Sequence, residues 1–312
     1  MKINLANIKK AMNLLNKREC VAIPTETVYG IAGNAYSDTA CKKIFRLKKR
    51  PANNPLIIHY YNLKKLKSDC DFNDDFLKLY KRFCPGPITF ILNQKKTSKI
   101  SKVATNKKNT LAVRFPKHPV ARKLLKYLKF PIAAPSANIS SRISAVTSAD
   151  VKDDFGKKIK YILEGGRSSV GVESTIIDLR KKPKILRLGG LEVGNIQKIL
   201  KKKISINTNP SKISAPGQLK IHYSPGIPIR LNVKKIKKDE AFLLIKKNKI
   251  NKTNYYFLSK KGDLKEAAKN LYTILRKIKK DNYKSIAVDK IPNEGIGKTI
   301  NDRLLRLSLI HI

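Results

Sequence analysis

Short apolar runs alternate with helix-like apolar spacing along this chain as far as about residue 204. Runs such as Val21–Ile23, 56–59 and 88–92 have the length of strands, while the segments 6–17 and 39–47 place apolar residues three and four positions apart. Alternation of this kind indicates strands and helices packed in layers, and the irregular connections favour a sheet of mixed direction. The sequence therefore predicts an α/β protein built on a twisted, mixed, open sheet.

The periodicity fades between residues 205 and 230, where four prolines and two glycines interrupt the chain. We interpret this stretch as an extended linker between a first domain, 1–204, and a small Rossmann-like α/β domain, 231–312. Gln218, His222 and Tyr223 are unusual residues for a passive tether. We therefore expect the linker to fold over a cleft as a lid.

The charge of the chain is strongly positive. It carries 68 lysine and arginine residues against 22 aspartate and glutamate residues, which gives a formal net charge of +46 in 312 residues. Such a charge favours polyanions and acidic ligands. Lysine supplies most of the excess in both domains, however, which is also typical of a general compositional bias. We expect an acidic small-molecule ligand and, at most, weak binding to tRNA or duplex RNA.

The sequence contains no apolar run that is long enough to span a bilayer, and Asn and Lys interrupt the first 15 residues. We therefore expect a cytoplasmic protein that has no membrane partner. The cysteines form no CxxC pair and are expected to be reduced, buried thiols rather than disulfides or metal ligands. They are Cys20, Cys41, Cys70 and Cys84.

Polar and basic side chains occur where two of the predicted strands begin or end. The segment VAIPTETVYG, residues 21–30, is an apolar strand that breaks at Pro24 into a polar turn. Lys48 and Arg50 lie beside a Pro-Asn-Asn-Pro loop that enters a second apolar strand. Because open α/β sheets bind ligands at the ends of their strands, this combination predicts an anion site.

Two further strand ends carry side chains of the same kind. Ser136 and Asn138 lie two residues apart in the extended loop after an apolar strand, so both should point to the same side. Arg114 ends another strand, and in a cleft it would bind a carboxylate or a phosphate with two parallel hydrogen bonds. We see neither a Ser-His-Asp arrangement nor a protein metal site. Glu26 and Glu173 are the nearest carboxylates that a cation would find.

Six motifs in order resemble those of the YrdC-type L-threonylcarbamoyladenylate synthases, over roughly residues 3–200. They are PTETVYG (24–30), the K-x-R of 48–50 with its NNPL continuation, CPGPIT (84–89), AVRFP (112–116), APSANIS (134–140) and GVESTIID (171–178). KIHYSP (220–225) and GIGKTINDRLLR (295–306) resemble the long, two-domain form of that family. The resemblance implies a YrdC-like fold with a concave, basic cleft.

The resemblance also implies an activity. Enzymes of this family are nucleotidyltransferases that combine L-threonine, bicarbonate or CO2, and ATP into threonylcarbamoyl-AMP and release pyrophosphate. The product supplies N6-threonylcarbamoyladenosine beside the anticodon of tRNA, and a separate threonylcarbamoyl transferase complex attaches it. Mg²⁺ is expected to bridge the phosphates of ATP rather than to occupy a protein cage.

The family's site residues carry over to matching positions of this chain. Lys48 and Arg50 belong to the K-x-R signature and are assigned as catalytic, and Asn138 belongs to the S-x-N signature. The ATP-binding residues implied are Arg50, Asn54, Thr110, Ser136, Asn138, Ser144, Arg187 and Tyr223. The threonine-binding residues implied are Thr27, His59, Arg114, the backbone at Ala134, and Ser174. Thr25 remains an alternative to Thr27, and Thr175 an alternative to Ser174.

Two other functions remain open at the level of sequence. A non-enzymatic protein that binds duplex RNA or tRNA would suit the positive charge, although RNA binding does not require hydroxyl groups at strand ends. A carbamoyl-transfer maturation factor would share only the first domain, and it would add zinc-finger cysteines that this sequence does not have.

Overall fold

The computed structural model of this chain describes residues 3–208, 226–247 and 252–308. Over these ranges strands and helices alternate, and the strands form one large mixed sheet and one smaller parallel sheet. The prediction of a mixed α/β sheet followed by a small α/β unit is confirmed. Among the residues that the structure describes, none of the helices combines the length and apolarity that crossing a membrane requires.

The helices of the described ranges are α1 (Leu5–Asn16), α2 (Asp38–Lys48), α3 (Leu63–Leu66), α4 (Asp74–Phe83), α5 (Lys102–Thr105), α6 (Pro119–Tyr127), α7 (Ser148–Phe155), α8 (Val193–Leu200), α9 (Leu264–Lys280) and α10 (Gly297–Ser308). The strands are β1 (Val21–Ile23), β2 (Gly30–Asn34), β3 (Ile57–His59), β4 (Cys70–Asp71), β5 (Ile88–Gln94), β6 (Thr110–Arg114), β7 (Ile132–Ala133), β8 (Thr175–Asp178), β9 (Lys184–Arg187), β10 (Ser205–Ile206), β11 (Ile229–Arg230), β12 (Glu240–Lys246), β13 (Tyr255–Ser259) and β14 (Ser285–Val288).

The larger sheet contains ten strands within the described residues, in the order β1-β2-β7-β3-β6-β5-β8-β9-β10, and β4 pairs with β5 outside this path. The pairs β3–β6, β5–β8 and β9–β10 are parallel, and the other neighbours are antiparallel. Because β3 and β6 are parallel, their carboxyl ends meet at one edge, where the register pairs His59 with Arg114.

Alternation of side chains along the strands gives this sheet two different faces. On one face, residues such as Ile58 and Val113 join the main hydrophobic core, to which α4 and α8 also contribute. Their neighbours in sequence point to the opposite face and form a small apolar floor. The floor consists of Ile57, Ile91, Ala112, Ile176 and Leu186.

Helix α2 brings Lys48 and Arg50 to this sheet. It begins where the Ser37 hydroxyl accepts a hydrogen bond from the backbone N–H of Ala40, an N-cap that satisfies one of the helix's unpaired donors. It ends at Lys48 because Lys49 adopts a left-handed conformation, with φ of 49°. The chain therefore turns sharply between the two basic residues of the K-x-R motif.

The smaller sheet has four parallel strands in the order β11-β14-β12-β13 within the described residues. Helix α9 is capped by Asp263, whose carboxylate accepts the N–H of Glu266 at 2.6 Å, and its last turn is basic, which suits the helix dipole. Val28, Ile143 and Val172 of the first domain lie in the same core cluster as the buried faces of α9 and α10. The two domains therefore share a hydrophobic core.

The stretch interpreted as a linker contains strands at both of its ends. Ser205–Ile206 pairs with β9 in the larger sheet, and Ile229–Arg230 pairs with β14 in the smaller one. Residues 209–225, which include Gln218, His222 and Tyr223, lie outside the described residues. The idea that this segment acts as a lid therefore stays a prediction.

Candidate active site

A cleft of about 480 Å³ opens on the face of the larger sheet that carries Ile57. The ends of β3, β6 and β9 contribute to its wall, together with the loops that follow β1 and β7. Six of the residues assigned from the sequence line it, namely Arg50, His59, Arg114, Ala134, Ser136 and Arg187.

Lys48 lies behind this wall rather than on it. Its side chain is buried, and its ammonium nitrogen donates hydrogen bonds to the carbonyl oxygens of Ser136 and Asn138, each at 2.5 Å. Burial, together with the nearby charge of Arg50, holds the pKa of Lys48 well below its ordinary value of 10.5. Lys48 therefore fixes the backbone of the S-x-N loop.

Arg50 lines the cleft, and the Pro-Asn-Asn-Pro loop orients it. Its Nε donates to the carbonyl of Asn54 at 2.9 Å, and its Nη2 donates to the Asn54 Oδ1 at 2.6 Å and to the carbonyl of Pro55 at 2.9 Å. The Asn54 Nδ2 is buried and has no hydrogen-bond partner among the described residues. Arg50 and Asn54 are thus brought together as one unit at the edge of the cleft.

The S-x-N loop contributes to the lining of the cleft. The Ser136 hydroxyl lies in the lining and donates to the Asn138 Oδ1 at 2.6 Å. The Asn138 Nδ2 donates in turn to the carbonyls of Ile139 and Arg142. Ser136 therefore faces the cleft, whereas Asn138 supports it from the buried side.

Arg114 forms a buried ion pair with Glu26, with 2.8 Å between the Arg114 Nη2 and the Glu26 Oε1. Burial by itself raises the pKa of Glu26, but the Arg114 charge and hydrogen bonds from Arg114 and the Lys117 N–H outweigh it and lower the pKa below 4.5. The Arg114 Nε is buried and has no partner among the residues described. Glu26 therefore holds the guanidinium of Arg114 at its Nη2, and the Nε on the same edge has no hydrogen-bond partner within the described residues.

His59 lies beside Arg114 and lines the same cleft. It is 1% exposed, and neither ring nitrogen has a hydrogen-bond partner in the described part of the chain. Burial and the charge of Arg114 hold the pKa of His59 well below 6.5, so the imidazole is neutral at pH 7. Buried polar groups are nearly always hydrogen-bonded in folded proteins, so this pair of open nitrogens indicates a ligand position.

The structure distinguishes the two threonines of the PTETVYG motif. Thr25 lines the cleft, and its hydroxyl donates to the carbonyl of Val28 at 2.6 Å. Thr27 is fully buried, is not part of the lining, and lies with its hydroxyl 2.9 Å from that of Thr25. Of the two alternatives, it is Thr25 that faces the cleft.

Ser174 and Ser144 also lie just outside the lining. Arg187, which does line the cleft, donates to the carbonyl of Ser174 at 2.8 and 3.0 Å and to its hydroxyl at 3.0 Å. The Ser144 hydroxyl donates to the Glu173 Oε1 at 2.6 Å, and Glu173 does line the cleft. Both serines therefore contact residues of the wall, and Thr175 instead donates to the carbonyl of Leu191.

Of the assigned residues not yet placed, Thr110 is not part of the cleft lining. Thr110 begins β6, two residues before Ala112, which pairs with the cleft residue Ile57. Its side chain therefore lies on the same face as the apolar floor but further from Arg114. Tyr223 lies outside the described residues.

The carboxylates near the cleft do not form a metal site. Glu26 is bound to Arg114, and Glu173 is bound to Arg303 of the second domain at 2.9 Å. Within the described ranges there is no group of three or more His, Cys, Asp or Glu side chains that could hold a metal ion. Both carboxylates that the sequence offered as cation ligands are thus already paired with an arginine.

Sequence reasoning did not single out Tyr272 and Arg303, which reach Glu173 from α9 and α10. Both are fully buried, and among the residues that the structure describes Arg303 is the largest fully buried side chain. The sequence signal that could have identified Arg303 was its place at helical spacing among the apolar residues of GIGKTINDRLLR. An arginine at such a position is buried and therefore needs a buried partner.

Two family models match this chain. One, named Sua5_yciO_yrdC and described as "Telomere recombination", matches residues 13–189. The other, described as "Threonylcarbamoyl-AMP synthase, C-terminal domain", matches residues 191–307. The boundary between the two matches falls just after β9.

Similar proteins span the whole chain. It is 34% identical over 326 residues to the threonylcarbamoyl-AMP synthase of Pyrococcus abyssi (strain GE5 / Orsay), a match that covers 96% of this chain and 94% of that protein. It is 32% identical over 325 residues to the enzyme of the same name from Bacillus subtilis (strain 168), with 97% and 93% covered. The crystal structure of P. abyssi Sua5 complexed with L-threonine superposes with a TM-score of 0.90 at 32% identity, covering 99% of this chain and 96% of that one.

Proposed function

The chain belongs to the threonylcarbamoyl-AMP synthase family, and from that premise we propose that its cleft joins L-threonine, bicarbonate and ATP into threonylcarbamoyl-AMP with release of pyrophosphate. The observation that carries the proposal is the set of buried, unpartnered polar atoms at the cleft, of which the ring nitrogens of His59 and the Nε of Arg114 lie in its wall. An amino acid presents the hydroxyl, amine and carboxylate groups that such atoms bind.

The reaction needs no covalent enzyme nucleophile. The unprotonated amine of threonine adds to the carbon of bicarbonate, and water leaves to give a carbamate. A carbamate oxygen then attacks the α-phosphorus of ATP, the bond from that phosphorus to the bridging oxygen breaks, and pyrophosphate leaves. The protein must hold two mutually repelling anions in line and neutralise charge on the phosphates, which is catalysis by positioning and electrostatics.

We assign the threonine side of the cleft to the ends of β3 and β6. Arg114, which Glu26 holds at its Nη2, binds the carboxylate through its remaining guanidinium donors. His59, which is neutral at pH 7, provides hydrogen bonds without adding charge. Thr25 and Ala134 line the same cleft, and we assign the Thr25 hydroxyl and the backbone at Ala134 to threonine as well.

We assign the ATP side to Arg50, Ser136 and Arg187, which line the cleft together. Arg50 and Arg187 supply the positive charge that the phosphates require, and the Ser136 hydroxyl orients an oxygen. Lys48 contributes by fixing the carbonyls of Ser136 and Asn138, so its effect on ATP passes through the loop. Asn54 and Ser144 support Arg50 and Glu173 in the same way.

We propose that Mg²⁺ takes part in the reaction as an ion bound to ATP. Since Glu26 and Glu173 are both held by arginines, they do not fit as a ligand set for a protein-bound cation. We propose that the ion enters on the phosphates with its own water ligands.

The wider assignment follows from the family. We propose that the product supplies N6-threonylcarbamoyladenosine in tRNA through a separate transferase complex in the cytoplasm, and that any binding of tRNA by this chain is weak. The alternative of a non-enzymatic RNA-binding protein is not favoured, because RNA binding would not require a small cleft with open polar atoms at buried strand ends.

The test is a pyrophosphate-release assay with ATP and bicarbonate, with and without L-threonine. Threonine-dependent release is the expected result, and L-serine and L-valine serve as competitors that lack the methyl or the hydroxyl group. Release that is independent of threonine, or no release at all, would reject the proposed function.

A further inference from the structure

Two side chains of the second domain contact a carboxylate that lines the cleft of the first domain. The Arg303 Nε donates to the Glu173 Oε2 at 2.9 Å, and the Tyr272 hydroxyl lies 3.0 Å from the same oxygen and 3.2 Å from the Glu173 Oε1. Tyr272 and Arg303 are fully buried, and Glu173 is 4% exposed. The contact is therefore shielded from water. Hydrogen bonds between charged groups are stronger in such a buried environment than in solvent.

Arg303 is fixed on several sides. Its Nη2 donates to the carbonyl of Leu188 at 2.7 Å, immediately after β9, and its Nη1 pairs with the carboxylate of Asp302. Asp302 is in turn bound by Arg306, one helical turn further on. The guanidinium thus reaches Glu173 from a braced position on α10.

Glu173 also forms hydrogen bonds with groups beside the cleft. Its Oε1 accepts a hydrogen bond from the hydroxyl of Ser144, and its backbone carbonyl accepts one from the N–H of Gly190 at 2.8 Å. The next residue, Ser174, accepts the hydrogen bonds of Arg187. Hence the Glu173 carboxylate links Arg303 and Tyr272 of the second domain directly to Ser144. It also links them to Arg187, because Arg187 is bound to Ser174, the residue that follows Glu173.

The charges around Glu173 keep it ionised. Burial raises the pKa of the carboxyl, but the charges of Arg303 and Arg187 and the hydrogen bond from Ser144 outweigh it and bring the pKa to about 2. The charge of Glu173 in turn acts to raise the pKa of Lys48, and Tyr272 contributes a neutral donor to Glu173. Removing Arg303 would take away the first of these opposing charges and leave the cost of burial in place.

We propose that Arg303 and Tyr272 are positioning residues for the reaction: through Glu173 they hold Ser144 and Arg187 in the geometry that binds ATP, so the ATP side of the cleft is complete only with the second domain in place. The inference rests on the proposed function. It assigns to the second domain a part in ATP binding within this molecule.

A second interdomain arginine provides a control. Arg167 of the first domain donates from its Nη2 to the carbonyl of Lys269 at 3.0 Å and to the Asn270 Oδ1 at 2.8 Å, both on α9. It does not line the cleft, and neither of these bonds involves Glu173 or Ser144. Arg167→Met therefore removes a contact between the domains but leaves the hydrogen bonds of Glu173 in place.

The experiment compares full-length wild type, Arg303→Met, Arg303→Lys, Tyr272→Phe and Arg167→Met by steady-state pyrophosphate release and by calorimetric titration with ATP. We expect Arg303→Met to raise the KM and Kd for ATP about tenfold, the usual coupling between contacting groups, with the KM for threonine within about twofold. Arg303→Lys should restore part of the ATP affinity because it keeps the charge. Tyr272→Phe should act in the same direction by a smaller factor, and Arg167→Met should match wild type.

The pH dependence of kcat/KM for ATP distinguishes a positioning role of Arg303 from a role that only holds the two domains together. In Arg303→Met the pKa of Glu173 should rise, so kcat/KM for ATP should fall at a higher pH on the acid side than in wild type. Arg167→Met should leave the profile in place. A role limited to holding the domains together would lower stability in both variants and would not move the acid limb.

Several outcomes would overturn the inference. They are equal ATP affinities for Arg303→Met and Arg167→Met, equal increases in the KM for ATP and for threonine, or an unmoved acid limb. If Arg303→Met does not fold, Tyr272→Phe is judged by the same ATP and threonine comparison. If the wild type shows no threonine-dependent release, the proposed function fails, and the calorimetric ATP affinities still test the inference.

Discussion

The ammonium group of Lys48 and the carbonyl of Asn138, 90 residues apart in the sequence, are joined by a 2.5 Å hydrogen bond beneath the wall of the cleft. A second hydrogen bond from the same ammonium reaches the carbonyl of Ser136. The K-x-R and S-x-N motifs therefore form one unit, in which the lysine of the first motif holds the backbone of the second.

Replacing Lys48 by Met should weaken both the loop and ATP binding. The carbonyls of Ser136 and Asn138 would lose a charged donor, which should lower the free energy of unfolding by about 2–4 kcal/mol. The KM for ATP should rise because Ser136 is no longer fixed, whereas the KM for threonine should change less. Urea unfolding and steady-state kinetics measure the two effects. Lys42→Met, on the exposed side of α2, is the control, and a Lys48→Met protein with wild-type ATP affinity would contradict the assigned role.

Arg50→Ala should reduce catalysis more than stability. Its guanidinium lines the cleft and is pre-oriented by Asn54 and Pro55, so its loss should cost about 2–4 kcal/mol of transition-state stabilisation. The measurement is kcat/KM for ATP in the pyrophosphate-release assay. Arg46→Ala removes an exposed arginine of α2, the helix that precedes Arg50, and should have little effect. Wild-type turnover in Arg50→Ala would show that the site is assigned to the wrong residues.

Arg114→Lys should raise the KM for threonine about tenfold or more, because a lysine ammonium lacks the planar set of donors with which a guanidinium can bind Glu26 and a second carboxylate at once. The KM for ATP should stay close to that of wild type. Titration of the variant with L-threonine by calorimetry checks the affinity directly. An unchanged affinity for threonine would place its carboxylate elsewhere.

His59 should make stability depend on pH near neutrality. Its pKa in the folded protein is held well below 6.5 by burial and by Arg114. The unfolded chain therefore binds a proton as the pH falls through about 6.5 while the folded chain does not, so stability decreases on acidification. Urea unfolding between about pH 7.5 and pH 5.5 should show this slope, and His59→Asn should reduce it.

Nitrogen NMR of the imidazole offers an independent check. The His59 signal, identified by its absence in His59→Asn, should still report a neutral ring at about pH 6, where free histidine is largely protonated. A His59 that titrates near 6.5 would contradict the burial described here.

The sequence was sufficient for several features of the fold. Apolar spacing over 39–47 predicted a helix that the structure places at Asp38–Lys48, and the motif order predicted strand ends that carry Arg50, Arg114 and Ser136 to one cleft. It was less informative for β2, whose sequence GIAGN has two glycines and weak strand propensity, and which owes its conformation to pairing with β1 and β7.

The sequence by itself determined which kinds of side chain meet at the strand ends, because periodicity and turn residues report local backbone structure and burial. Only the tertiary structure decided what each of them faces. Thr25 rather than Thr27 lines the cleft, Lys48 turns to the loop of Ser136, and Arg303 reaches Glu173 across 130 residues of sequence. These choices depend on strand register and on the docking of two domains, and both are set by packing between segments that no local pattern connects.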